Sequence, residues 1–242
     1  MQYHIRVKPG EVAPCVLLPG DPARAELIAS RFDKARKIAF NREYRTFTGE
    51  VDGVPISVTS TGIGCPSTAI AVEELARCGA KIFIRVGTAG AVSPKVKTGD
   101  LVIANAAVRE EGTSINYVPM CYPAVADLEV TNALVEAAKR LKVRYRVGLT
   151  VSKDAFYSEE PGRVPLAREA AERWKLWRRS GVLATEMECS TIYTLCSIGG
   201  LRGGAVLAIV GPIGVIADPR AGVSKAIDVA IEAVKLLGKT AV

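Results

Sequence analysis

The sequence predicts an α/β protein, a single domain over residues 1–242 with a central mixed, largely parallel sheet flanked by helices. Short uninterrupted apolar runs, such as Cys15-Val16-Leu17-Leu18 and Ile82-Phe83-Ile84, suit strands buried on both faces. Such runs alternate with helix-period segments along the whole chain, the pattern of helices covering both faces of a sheet. No Pro/Ser-rich linker, charge block, low-complexity run or internal repeat marks a boundary.

Taken in order, residues 12–18 read as a strand that runs into Pro19-Gly20-Asp21-Pro22-Ala23-Arg24. Asp21 is a fitting N-cap and Pro22 a fitting first helical residue, so Gly20 can bring backbone N–H groups close to an anion that Arg24 also faces. Residues 44–51 and 54–61 form a hairpin around Asp52-Gly53, and Thr61-Gly62-Ile63-Gly64 leads into a helix over 67–78. Residues 81–90 read as a buried strand ending in a glycine-rich turn, Gly87-Thr88-Ala89-Gly90. Arg85 interrupts that strand. A guanidinium in such a place signals either an oxyanion site or an ion pair with an Asp or Glu.

A strand over 100–109 precedes a loop over 110–123, long enough to be functional. A helix follows over 128–141, then a strand over 145–152 that delivers Asp154-Ala155-Phe156-Tyr157 into a loop. Residues 164–179 are helical, with Trp174 and Trp177 on one face as packing or subunit contacts. Ala184-Thr185-Glu186-Met187-Glu188 enters a helix over 189–198, residues 203–210 form the last buried strand, and 223–237 the closing helix.

Composition bounds the function. At 49% apolar residues the chain can bury a sizeable core, yet no uncharged stretch reaches the length of a membrane span and no leader is recognised, so a cytoplasmic protein is expected. The six cysteines show no CxxC or Cys/His spacing and read as reduced, mostly buried thiols. One His and one Gln beside 32 Lys plus Arg lean toward a heat-adapted source. The charge of +7 is dispersed and aromatics are few, which speaks against a nucleic-acid surface and for a small anionic substrate.

Together His4, Pro19-Gly20-Asp21-Pro22 with Arg24, Arg42-Glu43, Ser60-Thr61-Gly62-Ile63-Gly64, Ile84-Arg85-Val86-Gly87-Thr88-Ala89-Gly90, Pro123-Ala124-Val125-Ala126-Asp127, Asp154-Ala155-Phe156-Tyr157 and Glu186-Met187-Glu188 resemble the nucleoside phosphorylase family, most closely its uridine phosphorylases. The pieces stand in the family's order over nearly the whole chain. The resemblance implies phosphorolysis of uridine to uracil and ribose 1-phosphate by a pentosyltransferase with no organic cofactor and inorganic phosphate as co-substrate. It implies phosphate binding by Gly20, Arg24, Arg85 and Thr88, with Arg42 lent by a neighbouring subunit. Ribose falls to Glu188, Met187 and a neighbour's His4, and the base to Phe156. A homo-hexamer built from dimers with shared sites is implied, as is a potassium-type cation at the dimer contact held by Glu43, Ile63 and Ser67. Arg85→Ala is expected to lose most activity while the protein stays folded and oligomeric.

The base-reading residues depart from the family. Its purine-cleaving members carry an Asp after the last buried strand, where this chain has Gly211-Pro212, which speaks against purine specificity; a purine nucleoside or methylthioadenosine phosphorylase stands as the alternative, followed by a noncatalytic nucleoside binder. Where the uridine enzymes place a Gln and an Arg, Glu160 and Gly162 stand here, with Arg163 one residue further on. Glu160 to accept the uracil N3–H and Arg163 to stabilise the departing base are the expected replacements.

Overall fold

The computed structural model describes residues 1–160 and 164–239. Its elements are, in order, β1 (Cys15–Leu18), α1 (Pro22–Ala29), β2 (Arg36–Asn41), β3 (Tyr44–Val51), β4 (Val54–Thr59), α2 (Cys65–Arg77), β5 (Ile82–Ala91), β6 (Leu101–Glu110), β7 (Ala124–Val125), α3 (Leu128–Arg140), β8 (Tyr145–Lys153), α4 (Ala167–Arg179), β9 (Ala184–Glu186), α5 (Cys189–Ile198), β10 (Arg202–Pro212) and α6 (Val223–Lys239). Short 3₁₀ turns occupy Ser114–Asn116 and Phe156–Glu159.

The ten strands form one mixed sheet in the order β10-β6-β8-β9-β5-β1-β4-β3-β2, with β7 beside β6. Strands β4, β1, β5 and β10 run parallel through its centre. Because β10 pairs with both β5 and β6, the part β5-β9-β8-β6-β10 closes on itself like a small barrel, while β1, β4, β3 and β2 extend from it as an open sheet. The alternation of side chains along β1 shows why its sequence is apolar throughout. Cys15 and Leu17 enter one core with α1, α3 and α6; Val16 and Leu18 enter the other with α2 and α5.

Local chemistry sets the element ends. Asp21 caps α1 by accepting from the Ala23 amide at 2.8 Å, and Asp127 caps α3 by accepting from Val130 at 2.9 Å. Asp52 and Gly53 both have positive φ, as the tight β3–β4 turn requires. Trp174 and Trp177 pack with Val92, Val151 and Val182, and the Trp177 indole donates to Glu110 at 2.9 Å. Five cysteines are buried and Cys121 is exposed. No described helix is long and apolar enough to cross a membrane.

Several elements differ from expectation, β7 and β9 among them, strands of two and three residues that are too short to show a period. The Gly87-Thr88-Ala89-Gly90 segment is not a turn: β5 continues through it to Ala91, paired with β10 on one side and β9 on the other. These glycines keep negative φ, so they are used here for lack of a side chain rather than for a special backbone shape. Strand β2 is absent from the sequence reading, because it is the exposed edge of the sheet and has no apolar run to signal it.

Candidate active site

A cavity of about 710 Å³ opens where β1, β5, β8 and β9 reach their working ends. The parallel register sets Arg85 level with Leu18, hence beside the Gly20 turn, and the β5–β9 pairing sets Gly90 opposite Thr185. The turn after β1 and the strand extension after β4 lie side by side, Thr61 N–H donating to Pro19 at 2.9 Å and Gly62 N–H to Gly20 at 3.0 Å. A Cβ on Gly20 would stand 3.0 Å from the Gly62 carbonyl oxygen, so the close approach needs glycine there.

Seven of the residues singled out in the sequence meet in this cavity: Gly20, Arg24, Arg85, Thr88, Phe156, Met187 and Glu188. Glu43, Ile63 and Ser67 line it too. His4 and Arg42 do not, but their segments are joined: Asn41, next to Arg42, donates its amide to the His4 carbonyl at 2.6 Å. Glu74 clamps the same segment, accepting from the Ile5 amide at 2.9 Å and lying 2.7 Å from the His4 ring Nδ1. Glu160 does not line the cavity; its neighbour Glu159 does. Arg163 lies outside the described residues. The 110–123 loop is not part of this wall, because Arg109 folds it down, donating to Ser114 Oγ and to the carbonyls of Val118, Pro119 and Tyr122.

Arg85 is buried and answers both readings of its strand. Its Nε donates to Glu186 Oε2 at 2.9 Å and its Nη2 pairs with Glu188 Oε2. The ion pair is real, yet it sits on the cavity wall beside a second guanidinium. Arg24 has its pKa pushed down by burial and then by the like charge of Arg85, with Asp21 opposing; among the described residues no carboxylate forms an ion pair with it. Two convergent cations with one left unneutralised make a place for an anion.

Glu186 organises the group. It accepts from Ser152 Oγ at 2.5 Å, from the Glu188 amide at 2.8 Å and from the Cys189 amide at 3.0 Å, so one carboxylate aims Arg85 and caps the start of α5. Glu188 accepts from the Gly64 amide at 2.6 Å, and its pKa is raised, first by burial and then by the charge of Glu186, against the pull of Arg85. Gly87 makes room for all of this. A Cβ there would lie 2.9 Å from Arg85 Cζ, and the guanidinium cannot swing aside without leaving both carboxylates. Gly87→Ala is therefore expected to fold but to lose about tenfold to 10²-fold in kcat/KM, as a misplaced positioning cation does; turnover equal to wild type would show that Arg85 can work from elsewhere.

Lys153, Glu159 and Glu186 line the cavity and are given no role by the sequence alone. For Glu186 a signal existed, since a strand-end carboxylate two residues before Glu188 can address the same partner. For Lys153 and Glu159 there was none beyond position near Phe156.

The model of the phosphorylase superfamily matches residues 14–242. The chain belongs to that superfamily. The uridine phosphorylase of Thermococcus kodakarensis is 55% identical, covering 99% of this chain and 87% of the relative, and that of Treponema pallidum is 45% identical, covering 98% and 94%. A guanosine phosphorylase of Halorubrum lacusprofundi is 41% identical over 87% of this chain and 83% of its own. For a phosphorylase of this superfamily, the gathering of Arg24, Arg85, Thr88 and Glu188 in one cavity is the arrangement that needs explaining chemically.

Proposed function

We propose that the protein catalyses reversible phosphorolysis of uridine, giving uracil and ribose 1-phosphate. The observation that carries this reading is the convergence of Arg24 and Arg85 on the Gly20 turn and Thr88, in the same cavity as a buried carboxylate and an aromatic ring. The names of the relatives at 45–55% identity agree with it. Phosphate is held between the guanidinium groups, with Thr88 and the Gly20 backbone as donors. Glu188 accepts both vicinal hydroxyls of the ribose, Met187 lies beside the sugar and Phe156 stacks on the base. As the glycosidic bond stretches the sugar gains oxocarbenium character and phosphate attacks the anomeric carbon. Fixed charge and placement supply most of the acceleration.

A neighbouring subunit completes each site. Neither His4 nor Arg42 lines its own protomer's cavity, and Asn41 ties their two segments together, which supports lending both to a partner. The assembly proposed is a homo-hexamer of dimers, in the cytoplasm. The Glu43 carboxylate, the Ile63 carbonyl and the Ser67 hydroxyl offer hard oxygen donors near one another, Ser67 Oγ lying 3.3 Å from the Ile63 oxygen, and suit a potassium-type cation that would brace the dimer contact.

A second reading, cleavage of a 6-oxopurine nucleoside, draws on the guanosine phosphorylase relative. A carboxylic acid at position 211 cannot serve it, since any Cβ there would stand 2.1 Å from the Val215 carbonyl oxygen. The test is turnover of uridine, inosine and methylthioadenosine with phosphate, with arsenate and with neither. Uridine cleavage that requires phosphate or arsenate is expected; equal turnover in phosphate-free buffer would make the protein a nucleosidase.

A further inference from the structure

The cavity wall beside Phe156 carries a pair of buried charges. Lys153, at the end of β8, and Glu159, at the end of the following 3₁₀ turn, both line it. Their side chains are only 6% and 5% exposed, and Lys153 Nζ lies 2.7 Å from Glu159 Oε1. The ammonium stands 5.5 Å from the centroid of the Phe156 ring, so the pair and the ring share one stretch of the cavity wall.

Neither group is saturated by these contacts. Lys153 carries three N–H donors and uses them on Glu159 and, at 3.4 Å, on Thr185 Oγ1. Glu159 Oε2 accepts from the Gly214 amide at 3.1 Å, tethering the turn to the segment that follows β10. Glu159 Oε1 is buried with the Lys153 ammonium 2.7 Å away, and each carboxylate oxygen keeps a second lone pair beyond the one contact it makes. The pair therefore holds spare donor and acceptor capacity on the cavity wall.

We propose that the Lys153–Glu159 pair reads the edge of the nucleobase, an inference that rests on the phosphorolysis reading above. Lysine only donates and an ionised glutamate only accepts, so the pair presents a donor beside an acceptor. The complementary edge is a carbonyl next to a ring N–H. Uracil offers it as O4 with N3–H, and guanine and hypoxanthine offer it as O6 with N1–H. Cytosine and adenine present the reverse, an amino group beside a bare ring nitrogen, and would set donor against donor and acceptor against acceptor. The cavity therefore takes lactam-edged bases, pyrimidine or purine, and refuses their amino counterparts.

The test is kcat/KM of the intact enzyme for uridine, inosine, cytidine and adenosine at saturating phosphate, with calorimetric binding of uracil, hypoxanthine, cytosine and adenine run alongside. Uridine is expected to exceed cytidine, and inosine to exceed adenosine, by about 10²–10⁴-fold, the range seen when a site built for one hydrogen-bonding group meets its mismatch. The double substitution Lys153→Gln with Glu159→Gln replaces the pair by amides that can each turn to donate or accept. It is expected to cut the uridine-to-cytidine ratio at least tenfold while KM for phosphate stays within about threefold. Wild-type enzyme that handles cytidine within tenfold of uridine would overturn the inference, as would a double variant that keeps the wild-type ratio. Should the double variant not fold, the single substitution Glu159→Gln is read in its place, with the same fall in the uridine-to-cytidine ratio expected and an unchanged ratio overturning the inference. Absence of phosphate-dependent turnover with every nucleoside would sink the phosphorolysis reading instead, and the four base affinities would then still decide whether the edge is read.

Discussion

Arg85→Lys is expected to lower kcat/KM by about 10²–10³-fold, the usual cost of removing one fixed donor from a site that stabilises developing charge. Lysine keeps the charge but not the planar fork, and a single ammonium cannot hold Glu186, Glu188 and a phosphate oxygen in the geometry the guanidinium spans. The structure also changes what Arg85→Ala should do. On sequence grounds it was expected to leave a folded oligomer; with Arg85 buried between two buried carboxylates, truncation strips both of their partner, a loss of about 3–5 kcal/mol in such settings. A lowered melting temperature in Arg85→Ala, with Arg85→Lys closer to wild type in stability but not in activity, is the pattern to look for. Arg85→Lys turning over within fivefold of wild type would remove the guanidinium from the reaction.

Glu188→Gln is expected to cost a similar factor and to change the acid side of the pH profile. Accepting two hydroxyl hydrogen bonds requires the ionised carboxylate, and burial together with Glu186 lifts its pKa above the ordinary 4.5. Activity should therefore fall as pH drops through that raised value, at higher pH than an ordinary glutamate would give. The stability effect has the opposite sense, because the folded state holds this proton more tightly than the unfolded chain and so gains stability as pH falls through the folded pKa. In Glu188→Gln the Glu188 contribution to the acid limb should vanish, read as kcat/KM against pH at saturating phosphate. Mixed oligomers of inactive Glu188→Ala and inactive His4→Ala should recover part of the activity, since some cavities would then draw an intact Glu188 from one subunit and an intact His4 from another. Verified mixed oligomers with no recovery would count against lent residues.

Much of the fold was legible because it is local. The apolar run of β1, the Asp21 and Asp127 caps, the Asp52-Gly53 turn and the period of α3 and α6 are each decided within a few residues. The cavity-lining cations Arg24 and Arg85 were legible for the same reason: a guanidinium close to glycine, at a strand-to-helix turn or inside an apolar run, is rare enough to be noticed in the chain alone. What these residues touch was not. Glu186 and Glu188 come from another part of the chain, and only the β5–β9 pairing brings them to Arg85. Closure of the barrel rests on β10 pairing with both β5 and β6, a choice between partners that the β10 sequence suits equally. That Glu159 rather than Glu160 enters the cavity depends on how one 3₁₀ turn meets Lys153 and Gly214. Side-chain type and period are properties of a short stretch, whereas the identity of a buried charge's partner is set by strand register across the whole molecule, because only there do distant residues share a low-dielectric space where pairing outweighs solvation.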